Sequence, residues 1–167
     1  AAGIHNGYLA IKEHTARRFG FTQGQRLAHD IQVAVLPNVY PMGDEVILIY
    51  QVLGRIVRPG DLPLSVGVIV NNVETVLNLG RALDGIPVTE KWLTVAGAVP
   101  APVPVQVKVG TLVQDLLASL RYEVPEGHVV LDGGPAIGNI IRWQEASVTK
   151  TTTGILLLPE DIPAVTA

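Results

Sequence analysis

Between positions 103 and 120 the apolar repeat of this chain changes its period. Val103, Val105, Val107 and Val109 alternate with Pro104, Gln106 and Lys108; Val113, Leu116, Leu117 and Leu120 then recur at helical spacing. A period of two builds one face of a strand, and a period near 3.6 builds one stripe of a helix. A strand whose valine face leads into an apolar helix stripe can close a small core by packing one on the other. Pro100, Pro102 and Pro104 assign the strand to a sheet edge, because proline cannot donate to a ladder. Thr111 stands where a helix cap is expected. Trp92 to Val95 reads as a preceding strand. Pro125-Glu126-Gly127 turns the chain into a strand from His128 to Leu131, and Gly154 to Leu158 forms a last one. Strand, strand, helix, strand is the order of a β-grasp unit.

The first half alternates helix and strand signals, so the fold class is α/β. Asn6 is placed to cap a helix from about Gly7 to Phe19, ended by Gly20. Ile31 to Leu36 is a buried strand closed by Pro37-Asn38. A second helix is expected from about Gly43 to Leu53, with Val46, Ile49, Tyr50 and Leu53 on its apolar face and Gly54 after its end. Pro59-Gly60-Asp61 is a turn in type II order. A strand from Val66 to Val70 and a helix from about Asn72 to Leu83 follow, the helix carrying Val73, Val76, Leu77 and Leu83 on one face and ending at Asp84-Gly85. The character of the chain changes at Ile86-Pro87, which divides it into residues 1–85 and 88–160.

With 167 residues and 48% hydrophobic content the chain is long enough for one medium domain or two small ones with real cores. A net charge of −3 and the lack of any basic run speak against nucleic acid as a partner. No apolar stretch reaches the roughly 18 residues that span a bilayer, so direct membrane insertion is not expected. The opening residues lack the charged and apolar regions of a signal peptide. Cysteine is absent, which excludes disulfides and cysteine-held iron–sulfur clusters within this chain. His5, His14, His29 and His128 are scattered without i, i+4 partners, and Ser65, Ser119 and Ser147 sit in no nucleophile-elbow pattern. Gly133-Gly134-Pro135 with Gly138 reads as a tight turn rather than a phosphate cradle, and Thr149 to Thr153 as an exposed polar strand entrance.

Two features carry potential chemistry. Val68-Ile69-Val70 runs directly into Asn71-Asn72 and a helix start. Adjacent carboxamides beside a free helix N-terminus offer donors and acceptors suited to a planar heterocycle such as a flavin. The competing explanation is structural: Asn71 as the N-cap, with Glu74 three residues on completing a capping box. Gly43-Asp44-Glu45 places a glycine and two acids in a first helical turn, which helix-dipole complementarity alone would explain.

Val70-Asn71-Asn72-Val73-Glu74-Thr75 resembles the flavin-contacting segment of the FMN-binding subunit family of respiratory NADH dehydrogenase. Tyr40-Pro41-Met42-Gly43-Asp44-Glu45 resembles that family's Tyr-x-x-Gly-Glu-Glu, and Leu93 to Val99 with Val109-Gly110-Thr111 its β-grasp segment. Gly133-Gly134-Pro135-Ala136-Ile137-Gly138 and Val148 to Gly154 point to the branch holding the Rnf-complex C subunit and the cobalamin reductases of propanediol-degrading microcompartments. The resemblance implies that residues 1–85 are the distal part of an FMN-binding α/β domain and residues 88–160 a soluble-ligand-binding β-grasp domain. It implies flavin contacts from Tyr40, Gly43, Asp44, Glu45, Val70 (by its backbone), Asn71, Asn72 and Thr75, with no acid–base catalyst among them. Asp44 stands where the respiratory subunit has Glu, so its reach is shorter. NADH oxidation through FMN, with electrons passing to iron–sulfur clusters outside this segment and to other subunits or domains of a redox complex, is the implied activity. The implied setting is cytoplasmic, peripheral to a membrane complex or inside a microcompartment. The family's glycine-rich flavin loop and cluster cysteines have no counterpart here, and Ala1-Ala2-Gly3-Ile4 reads like the tail of a strand already under way. The chain is therefore expected to be part of a larger polypeptide and inactive alone. A pure ligand- or partner-binding module, with the β-grasp holding a cobalamin, is the alternative.

Overall fold

Tyr8–Lys12 forms a strand, β1, although it adjoins a helical sequence with no breaker between them. The computed structural model describes residues 4–135 and 138–161, and the chain divides into two compact units, Ala1–Asn71 and Asn72–Ala167. The helix expected from Gly7 is thus halved: β1 occupies its first part, and helix α1 covers only Glu13–Phe19, entered from Lys12 rather than capped by Asn6. Tyr8, Leu9 and Ile11 suit a strand, and pairing decides in its favour, because β1 lies parallel to β2 (Gln32–Leu36) from Tyr8↔Gln32 to Lys12↔Leu36. Gly20 ends α1 with φ 72°, as expected.

Both edges of β2 are occupied. β1 takes one, and on the other the Gly24 amide donates to Val33 O (2.9 Å), the Val33 amide to Gln25 O (2.8 Å) and the Val35 amide to Gln23 Oε1 (2.6 Å). Val33, Ala34 and Leu36 are buried accordingly, together with Ala16 of α1. Helix α2 (Glu45–Leu53) ends at Gly54, and of its expected apolar face only Ile49 is buried. The Asp61 amide closes the Pro59-Gly60 turn on Arg58 O at 3.0 Å, with Gly60 at φ 85°. The strand expected over Val66 to Val70 does not form. Pro63–Val66 is a 3-10 turn ended by Gly67 at φ 68°, and Val68–Val70 has no ladder partner among the described residues.

The second unit begins with helix α3 (Val73–Leu83), which ends at Asp84 with Gly85 at φ 73° beyond it. Its apolar stripe is exposed, Leu83 to 84%, while Glu74, Asn78 and Arg81 on the opposite face are partly covered. The rest is β3 (Glu90–Gly97), β4 (Val103–Lys108), helix α4 (Val113–Ser119), β5 (His128–Asp132), β6 (Asn139–Ile141) and β7 (Gly154–Pro159). These strands form one sheet in the order β4-β3-β7-β5-β6, with β3 and β7 parallel and the other pairs antiparallel. That is the β-grasp arrangement, with β4 on the edge its prolines assign to it. β6 is an addition that too short an apolar run, Ile140-Ile141, left unread.

Val113, Leu116 and Leu117 of α4 pack in one cluster with Leu93, Val95, Val130, Val148, Ile155 and Leu157, and Val103, Val105 and Val107 flank it. The helix is entered from Leu112, not capped by Thr111: the Thr111 carbonyl accepts from the Val148 amide (2.8 Å) and its side chain makes no cap. Nor is Thr149 to Thr153 an exposed entrance throughout. Thr152 is fully buried and donates to Asp132 Oδ2 at 2.8 Å, pinning the approach to β7 against the end of β5. In the Gly133-Gly134-Pro135 motif the Gly138 amide donates to Gly134 O at 2.7 Å; Ala136 and Ile137, on which the expected tight turn falls, lie outside the described residues.

Sheet closure depends on Gly97. It has φ 96°, and a Cβ there would sit 2.1 Å from Leu157 O of the neighbouring strand. Gly97→Ala is therefore expected to cost at least about 2 kcal/mol and several degrees of melting temperature. Gly43→Ala, whose Cβ would meet nothing within 4 Å, serves as the control in the same calorimetric comparison and is expected to stay within about 0.5 kcal/mol.

Candidate functional site

The acidic turn is built from consecutive short-range bonds. The Met42 amide donates to Val39 O (3.1 Å) and the Asp44 amide to Pro41 O (2.7 Å), winding the chain into α2. Upstream, the Asn38 side chain is held by His14, whose ring Nδ1 lies 2.7 Å from Asn38 Oδ1. Asp44 is the N-cap of α2, its Oδ1 accepting from the amides of Val46 (3.0 Å) and Ile47 (3.2 Å). One of its carboxylate oxygens is thus committed to the helix, and Oδ2 is what remains for a ligand. Glu45 is exposed and makes no side-chain hydrogen bond among the described residues. Tyr40 is 80% exposed. Gly43 has an ordinary φ and open space where a Cβ would project, so nothing internal requires glycine there. What its lack of a side chain provides is an unobstructed approach to the backbone from outside.

Val70 and Asn71 form the irregular lead into α3. Asn72, not Asn71, is the N-cap, with its Oδ1 accepting from the Glu74 amide at 2.9 Å. The capping box expected from Asn71 and Glu74 is therefore displaced by one residue and lacks its return bond. Glu74 falls in the second position of the helix, and its carboxylate turns away from the cap. It accepts from Lys91 Nζ at 2.5 Å and from the Trp92 amide at 2.9 Å. Asn71 is exposed, and Thr75 is exposed in the first turn of α3. The capping role fixes which way the Asn72 carboxamide faces. Its oxygen is used by the helix, so its Nδ2 presents two N–H donors outward. Val70–Thr75 thus forms one local group, and Tyr40 to Glu45 another.

Lys91 is the residue that the motif reading missed. It is only 8% exposed, at the start of β3 and in phase with buried Leu93 and Val95. A lysine on the inward phase of an alternating strand signals a buried charge that needs a partner, so the pattern contained the clue. Burial raises the pKa of the Glu74 carboxyl, but the hydrogen bonds from Lys91 and the Trp92 amide, with the Lys91 charge, outweigh it and hold the group below its ordinary 4.5. A lowered folded pKa contributes stability above the unfolded value, and that contribution is lost as pH falls through the folded one. Melting temperature is accordingly expected to drop from pH 4.5 downward. In Glu74→Gln this acid-dependent part of the drop should be smaller, as followed by circular dichroism.

Two concavities of about 220 and 210 Å³ lie in the first unit, lined respectively by residues that include Tyr8, Gln23 and Gln51, and His5, Arg26 and Asp30; neither includes a residue of the acidic turn. No group of three potential metal ligands occurs among the described residues, and no helix among them is long and apolar enough to cross a membrane.

Residues 1–81 match the family model described as the Nuo51 FMN-binding domain. Over 166 residues the chain is 42% identical to the cobalamin reductase PduS of Salmonella typhimurium (strain LT2), a match that covers 99% of this chain and 37% of that protein. It is 41% identical over 161 residues to the cobalamin reductase PduS of Citrobacter freundii, covering 96% of this chain and 36% of the relative. The chain thus spans little more than a third of the length of these curated relatives.

Proposed function

We propose, from the match of residues 1–81 to the Nuo51 FMN-binding domain, that the chain is the flavin-edge segment of an electron-transfer flavoprotein. In the full protein it oxidises NADH through FMN and passes electrons to iron–sulfur centres carried outside this segment. The observation that carries the reading is the Asn72 cap, which spends the carboxamide oxygen on Glu74 and leaves Nδ2 donors facing out. Such donors match the carbonyl and ring-nitrogen acceptors of an isoalloxazine. Gly43, with open space in place of a Cβ, supports close approach of a flat ring to the backbone.

Bound FMN supplies hydride acceptance and release of single electrons. This chain's part is binding and orientation. Asn72 Nδ2 and the Asn71 carboxamide hold acceptor atoms of the ring, and Val70 contributes backbone groups. Thr75 offers a hydroxyl in the first turn of the helix. Glu45 and the uncommitted Asp44 Oδ2 accept from hydroxyl or amide donors of flavin and nicotinamide, and Tyr40 supplies an aromatic wall. Residues 88–160 serve as a soluble-ligand-binding β-grasp domain that positions the flavin part against the cluster-bearing parts or partner subunits. The fold, with its closed core and no cysteine, is suited to a positioning role. The name of the relatives, cobalamin reductase, favours a corrin-bound cobalt as electron acceptor; the proposed setting is the cytoplasm or a microcompartment. In the rival reading the β-grasp binds the corrin and the chain has no redox part.

The full-length protein is expected to be yellow as purified. Asn72→Ala should cost about 1 kcal/mol of stability through the lost cap and about 1–3 kcal/mol of FMN binding through an unpaired ligand edge. Flavin content and melting temperature, measured on the same preparation, separate the two effects; early melting with full flavin would leave Asn72 a cap only. The 167-residue chain alone, without a glycine-rich phosphate loop, should quench FMN fluorescence only at high micromolar concentrations or not at all, and submicromolar affinity would place the phosphate site within it.

A further inference from the structure

We infer that Lys91, a β-grasp residue beyond the segment matched by the flavin family, is the positioning residue that sets the Asn72 carboxamide through Glu74; the inference rests on the flavin reading above. Three observations lead to it. Glu74 is held at both ends, its amide by Asn72 Oδ1 and its carboxylate by Lys91 Nζ and the Trp92 amide. The apolar side of α3 contributes nothing to holding this turn, since Val73, Val76, Leu77 and Leu83 are exposed and no residue of the helix is fully buried. And the receiving site is rigid. Lys91 pairs with Val107 in the β3–β4 ladder, whereas the β3–β7 pairing begins only at Thr94. The Trp92 amide lies before that point and goes to Glu74 in place of a strand.

The chain of constraint then runs from a core-facing strand position to the ligand-facing donor. A buried ammonium 2.5 Å from the carboxylate fixes where the second residue of α3 lies. The Glu74 amide, so placed, dictates where the Asn72 oxygen must point, and Nδ2 takes the remaining direction. Without Lys91 the carboxylate retains only the Trp92 amide and is left partly buried with its charge uncompensated. It is then drawn toward water, and the first turn of α3 moves with it. An ion pair this covered adds little net stability compared with an apolar replacement, so a role in orientation gives a physical account of why charge is placed there.

The test uses the full-length protein, deflavinated and titrated with FMN by fluorescence, with melting temperature recorded for each variant. Lys91→Met is expected to weaken FMN binding about tenfold and Lys91→Arg, which keeps the charge, no more than about threefold. In an Asn72→Ala background Lys91→Met should change the affinity less than twofold, because the carboxamide it orients is gone. An unchanged FMN affinity with a lowered melting temperature, or the same tenfold loss in both backgrounds, overturns the positioning role. Should Lys91→Met fail to fold, Glu74→Gln, which keeps an acceptor for the Trp92 amide and removes the charge pairing, is read against the same thresholds. If Asn72→Ala alone leaves FMN affinity unchanged, the flavin reading fails first and the positioning role falls with it.

Discussion

Each unit of this chain is closed by one parallel strand pair, β1 with β2 in the first and β3 with β7 in the second. Parallel neighbours cannot be joined by a tight turn, so each pair demands a crossover, and the crossover becomes the rest of the unit. In the first it is α1 and the loop that doubles back along β2. In the second it is β4, α4, β5 and β6, the whole body of the β-grasp. Of the four described residues with no solvent access, Val95, Ile155 and Leu157 lie on that central pair and Thr152 lies just before β7. The tightest backbone approach in that pair is there as well: at Gly97 a Cβ would sit 2.1 Å from the Leu157 carbonyl oxygen.

Against this frame the parts visible in the sequence are those whose signal is local. The valine alternation of β4, the stripe of α4, the glycines after α1 and α2, and the Pro59-Gly60 turn all state their conformation in a few neighbouring residues. β1 was not legible because Tyr8 to Lys12 runs into Glu13 with no breaker, and only β2, more than twenty positions later, makes it a strand. Val66 to Val70 failed in the opposite sense. Its composition suits a strand, but a strand needs a neighbour, and Pro63 and Gly67 favour a tight turn instead. Thr111 was passed over as a cap because its backbone is claimed by Val148, a tertiary contact that local pattern cannot show.

The candidate site divides in the same way. The acidic turn and the paired carboxamides are legible as motifs, and the choice of Asn72 over Asn71 as cap turns on one residue of register that neither motif encodes. Glu74 was legible only as a capping-box acid; its actual partner lies across the unit on β3. The boundary between units shows a related tension. The change of character at Ile86-Pro87 and the family match to residue 81 keep α3 with the first half, whereas the compact unit starting at Asn72 carries α3 with the β-grasp. Lys91 and the Trp92 amide, both on β3, bind Glu74 of α3 within that unit.

The edge strand β4 has a bearing on solution behaviour. A sheet edge with open amides and carbonyls is a template on which a second molecule can add a strand. Here that edge begins among Pro100, Pro102 and Pro104, of which Pro104 lies within the strand opposite Thr94, and it ends at Lys108. Pro104 removes a donor from the row an incoming strand would need, and the lysine adds a charge that a flat stack of copies would have to bury together. The same residues that mark β4 as peripheral thus act as gatekeepers, allowing a valine-rich, strongly β-forming segment to sit at a border without recruiting further chains into fibrils.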